Sequence, residues 1–184
     1  MPSVLHLVSG CDLAGAESET EERDSWAFLD AAYCLTLSDR SDRQNELLPE
    51  LRRVGLLAKT TLVVSEPTSG PKPPAIFESH CAAARDALDK GYRRVLILED
   101  VCFLRHGHEV AQKVGSLMAQ LPPAWEGLYL GHFPIRAFFV APGILRSSSG
   151  CSHAYIANEP LLRWLAGLDP RADLSARRIP LLGL

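Results

Sequence analysis

Short apolar blocks alternate with longer stretches of helical periodicity along this chain. Residues 31–37, AAYCLTL, are the first block, and they stop at the polar run SDRSDR, the pattern of a strand entering a turn. Leu47, Leu48, Leu51 and Val54 then recur at helical spacing. Ser41 or Asp42 is placed to cap that helix and Gly55 to stop it, while Pro49 in its middle predicts a kink. TTLVVSE reads as a second strand and the following PTSGPKPP as a loop. AIFESHCAAARDALDKGY is helical with Gly91 as its stop, and it leads into the buried strand RRVLILED. EVAQKVGSLMAQL is an amphipathic helix closed by Pro122 and Pro123. GLYLG and AFFVA read as two short strands, SSSGCSHAYIA as a flexible stretch entering a strand, and EPLLRWLAGL as a short helix with Pro160 in its first turn.

Strands alternating with helices predict an α/β domain, with a mostly parallel sheet and helices on both faces. Residues 1–29 read as an acidic N-terminal extension or loop because of the run AESETEERD, 30–168 as the domain, and 169–184 as a tail. A chain of 184 residues is long enough for one such core. Its net charge of −3 argues against a broad nucleic-acid surface. The apolar blocks are strand length, too short for a transmembrane segment, and the N-terminus lacks a signal-peptide pattern. The five cysteines are scattered without a CxxC pair, the pattern of reduced thiols in a cytoplasmic protein.

In α/β sheets ligands sit beyond the carboxyl ends of the strands. Two of four candidate segments, Glu99-Asp100 and SDRSDR, lie at such positions. Glu99 and Asp100 end the most apolar strand, where paired carboxylates suit Mg²⁺ or Mn²⁺; acids also end strands simply by reaching water. Arg40 and Arg43 open a helix after a strand and suit phosphate oxygens; the alternative is a solvated turn in which Asp39 and Asp42 pair with them. Ser79 and His80 follow the proline-rich loop near a helix start. Gly150 permits close backbone approach, and His153 and Tyr155 share one face of a strand. His106 and His108 form a histidine pair, but no set of ligands at metal spacing completes a zinc site.

Taken in order, TLSDRSDR, SHCAAARDALDKGYRRVLILED, WEGLYLG and GCSHAYIA followed by an apolar helix resemble glycosyltransferase family 25, the lipooligosaccharide galactosyltransferase family. The resemblance spans about residues 30–168. It implies a GT-A-like (Rossmann-like) fold, a UDP-hexose donor with galactose or glucose, a glycan or glycolipid acceptor as in lipopolysaccharide biosynthesis, and a divalent metal. By the same resemblance Thr36, Arg40, Arg43, Ser79 and His80 line the nucleotide, Glu99 and Asp100 approach the metal and the donor ribose, and Gly150, His153 and Tyr155 face the donor sugar or acceptor. Glu99-Asp100-Val101 stands where the family carries Glu-Asp-Asp. The loss of one carboxylate keeps open a degenerate binding domain of the same fold. A receiver-like domain is disfavoured because too little chain follows Asp100 and no aspartate ends the later strands.

Overall fold

A computed structural model describes residues 5–9, 25–67, 72–100, 107–122 and 124–169. The acidic run, His106 and the tail from 170 onward lie outside the described residues, as does the side chain of His108. The described chain forms six strands: β1 Leu5–Ser9, β2 Ala31–Leu37, β3 Thr60–Ser65, β4 Arg94–Glu99, β5 Gly127–Ala141 and β6 Ile144–Asn158. It forms four α-helices: α1 Ser41–Arg53, α2 Lys72–Asp89, α3 Gly107–Met118 and α4 Glu159–Ala166.

The strands make a single sheet in the order β1-β3-β2-β4-β6-β5. Only β3-β2-β4 is parallel; β1, β6 and β5 run antiparallel to their neighbours. The class is α/β as expected, but the sheet is mixed rather than mostly parallel. The cause is local: β5 and β6 are joined by a hairpin turn at Pro142-Gly143, with Gly143 at φ +77°, so β6 must run against β5.

Alternation along the central strands divides the core into two layers. Ala32, Cys34, Leu96, Leu98 and Ile156 face one side, with Leu47 and Leu51 of α1 and Ala111 and Val114 of α3. Tyr33, Leu35, Val95, Ile97 and Tyr155 face the other, with Phe77, Cys81 and Ala84 of α2 and Leu161, Leu162 and Leu165 of α4. Helices therefore cover both faces, and β2 from Ala31 to Leu35 and β4 from Val95 to Leu98 are apolar runs because both their faces are buried there. Each fully buried aliphatic side chain contributes about 1.5–3 kcal/mol.

Three expectations need correction. Residues 1–29 are not wholly an extension: β1 pairs with β3, and Trp26 is buried with its indole donating to the Val54 carbonyl at 2.8 Å. The proline-rich loop ends sooner than expected, because α2 begins at Lys72 and takes Pro73 and Pro74 into its first turn, where no amide donor is needed. GLYLG and AFFVA are parts of one 15-residue strand, and SSSGCSHAYIA belongs to its equally long partner. Register irregularities between Tyr129 and Ala141 let β5 bend without ending. Cys34 and Cys81 are buried.

Candidate functional site

The cleft lies at the carboxyl ends of the three parallel strands. β2 leads through α1 to β3 on one side, whereas β4 leads away to the other side. The connections diverge between β2 and β4, the topological switch point where open α/β sheets form a crevice. A cavity of about 460 Å³ opens there, lined by Thr36, Asp39, Arg40, Arg43, Ser65, Glu66, Ser79, Glu99 and Asp100, with Leu35, Leu37, Pro67 and Ile76 as its apolar part. A volume of that order suits a small organic ligand.

Asp100 is the joint of the cleft. Its backbone N–H donates to the Leu35 carbonyl at 3.0 Å, which ties the end of β4 to β2. Its carboxylate accepts from Thr36 Oγ1 at 3.0 Å and from Arg43 at 2.8 Å. The Asp100 side chain is 9% exposed, so its carboxylate is largely withdrawn from water, while Arg43 keeps a third of its side chain exposed. Gln44, one position along α1, donates to the Leu37 carbonyl at 2.8 Å and holds the strand–helix junction closed.

Arg40 behaves differently from Arg43. It makes a bidentate pair with Asp42 at 2.9 and 2.8 Å, as the solvated-turn alternative expected. The Arg40 guanidinium holds the Asp42 carboxyl at about 2, with backbone N–H groups of Asp42 and Arg43 adding to the effect. An internal carboxylate thus occupies the anion-attracting start of α1. Ser38 donates to Glu66 at 2.8 Å, and Ser65 and Ser79 share a 2.7 Å hydroxyl contact across the cleft wall.

Glu99 begins a second network behind the first. One oxygen is bonded to His153 Nδ1 at 2.8 Å, and the other lies 3.8 Å from His80 Nε2. Burial pushes the Glu99 carboxyl up, but the imidazoles of His80 and His153 outweigh burial and hold it at about 2. His80 is buried, and its Nδ1 meets the Tyr155 hydroxyl at 2.9 Å. Burial raises the Tyr155 phenol well above its ordinary range.

The four sequence segments therefore meet, but not with equal roles. Thr36, Arg40, Arg43, Ser79, Glu99 and Asp100 line the cavity. His80 and Tyr155 do not line the cavity: both are core side chains behind Glu99, because β6 turns Tyr155 toward α2. His153, two residues earlier on the same face of β6, lies beyond the cover of α2 and α4, is half exposed and reaches Glu99. Gly150 stands in β6 opposite Phe133. Sequence reasoning missed Ser65, Glu66 and Gln44. The strand-end rule that singled out Glu99 and Asp100 applies equally to Ser65-Glu66 at the end of β3.

Glu99 and Asp100 were expected to hold a divalent cation. In this arrangement both Asp100 oxygens accept from Thr36 and Arg43, and Glu99 faces two imidazoles. Among the described residues, no group of three or more His, Cys, Asp or Glu is placed to hold a metal ion. The oxygens of this pair are already engaged by Thr36, Arg43 and the imidazoles, so as arranged they do not fit a resident metal. No protein-family model matches the chain, and no curated protein matches its sequence.

Proposed function

We propose that this cleft binds a nucleotide-sugar donor, a UDP-hexose, and that the domain transfers its galactose or glucose to a sugar hydroxyl in the manner of glycosyltransferase family 25. The observation that carries this reading is the convergence of separate segments on one switch-point cleft, with Thr36, Arg43 and Asp100 bonded together at its floor. The lining has the polarity such a ligand needs. Carboxylates and hydroxyls on β3 and β4 accept from and donate to ribose and hexose hydroxyls, while Arg40 and Arg43 at the start of α1 attract the diphosphate. A bound diphosphate shares these guanidiniums with Asp42 and Asp100.

In this reading Glu99 and His153 supply the proton chemistry. Glu99 stays ionised and orients the imidazole through Nδ1, which leaves Nε2 as the atom that accepts the acceptor hydroxyl's proton. Thr36 and Asp100 position the donor, and His80 with Tyr155 fixes the back of Glu99. Incubation with UDP-galactose and UDP-glucose and a panel of sugar acceptors tests the proposal, with UDP release as the readout. His153→Ala is expected to lower turnover about a hundredfold or more while leaving donor affinity unchanged.

The second reading is a binding domain of the same fold that no longer turns over. Its support is the internal satisfaction of Glu99 and Asp100 by His153, Thr36 and Arg43. UDP binding without release of UDP from any donor in the panel would select it.

A further inference from the structure

We infer that the tip of the β5–β6 hairpin is a membrane-contact element, which seats its apolar side chains at the headgroup boundary of an anionic bilayer. Phe138, Phe139, Val140 and Leu145 are 60%, 79%, 47% and 42% exposed, the densest group of exposed large apolar side chains among the described residues. They surround one turn. Phe139 pairs with Leu145 and Phe138 with Arg146, so neighbouring positions put exposed apolar groups on both faces of the ribbon. A sheet that docks on a protein surface offers one apolar face; a ribbon with exposed apolar side chains on both faces suits the boundary of an apolar medium.

The charges choose the kind of medium. Residues 127–158 contain no Asp or Glu, although the whole chain carries a net charge of −3. Within that span Arg136 and Arg146, both exposed, flank the apolar tip on its two strands. Arg146 stands opposite Phe138, and Arg136 stands opposite Ser148 two positions further from the turn, levels at which lipid phosphates would lie if the tip entered the acyl boundary. The tip is also held in place. β4 pairs with β6 only from Ala154 to Asn158, but Ile144 is buried and the Gly143 turn lies beside Leu117 of α3, so the exposed residues are presented from an anchored turn. This inference is independent of the cleft and of any ligand there.

Co-sedimentation of the full chain with vesicles tests it, using phosphatidylcholine alone and phosphatidylcholine mixed with phosphatidylglycerol. Binding is expected to the mixed vesicles and to weaken with salt. The double substitution Phe138→Ser, Phe139→Ser should reduce it by about tenfold or more. Arg136→Gln with Arg146→Gln should remove the preference for anionic lipid. Because these side chains are exposed, the variants should keep the parent's thermal melt. Absence of vesicle binding, or binding that survives the phenylalanine substitutions, overturns the proposal. So does concentration-dependent dimerisation that those substitutions abolish without any vesicle binding, which would assign the tip to a second copy of the chain.

Discussion

Asp100 carries more of the cleft than any other side chain, since it receives both Thr36 and Arg43 while its backbone ties β4 to β2. Asp100→Ala leaves the guanidinium of Arg43 without its acceptor. Hydrogen bonds to charged groups contribute about 1.5–3 kcal/mol each, so a loss of roughly 2 kcal/mol in stability is expected by denaturant titration, together with loss of UDP binding heat. Glu99 makes a pH-dependent prediction. Its carboxyl is held at about 2 in the folded chain against an ordinary 4.5, so the folded state binds fewer protons at this site than the unfolded chain in that window. The stabilisation is complete above the ordinary value and is lost as pH falls toward 2. Melting curves of the parent and Glu99→Gln should therefore converge on acidification below pH 4.5, and a constant gap across that range would contradict the assignment. The residues at strand ends were legible from sequence because an apolar run stops at each of them. The division of labour was not: His153 and Tyr155 share a face of β6, and which of them is covered depends on how far the helices packed on that face reach, which is decided by partners distant in sequence.

Among the elements, α1 shows how tertiary packing overrides local preference. Pro49 sits inside the helix, yet Ser41–Arg53 is a continuous helix across it. Leu47 and Leu51, on either side of the proline, are buried in the core and hold the turn together. Pro49→Ala restores a backbone donor and removes a steric conflict worth about 3 kcal/mol in an isolated helix interior, offset in part by a more flexible unfolded chain. A net gain of roughly 1 kcal/mol is expected, read as a higher denaturation midpoint with unchanged slope. The existence and type of the central strands and helices were readable from periodicity. β1 was not, because LHLVS is short and its pairing with β3 is a contact across more than fifty residues. The length of the hairpin was also hidden, since Pro134 and Gly150 look like breaks in a strand and are absorbed at the irregular positions of an edge ribbon.

For the whole molecule, the decisive feature is that two parallel crossovers diverge between β2 and β4 and leave a crevice at their carboxyl ends. Alternation of strands and helices announced the α/β class and both covered faces. It did not announce a mixed sheet, because strand direction in β6 is set by the two-residue connection Pro142-Gly143 rather than by the composition of the strand. The crevice follows from topology, and its chemistry from the few side chains that happen to end β2, β3 and β4. Titration calorimetry with UDP, in the presence of a chelator and again with Mn²⁺, tests the central claim about that crevice. Saturable binding in both conditions is expected, with similar affinity, because Arg40 and Arg43 provide the positive charge and the acids of β4 are already satisfied. Binding that appears only with Mn²⁺ would keep the cleft and restore a metal to Glu99 and Asp100. Absence of UDP binding in both conditions would contradict the nucleotide-sugar reading outright.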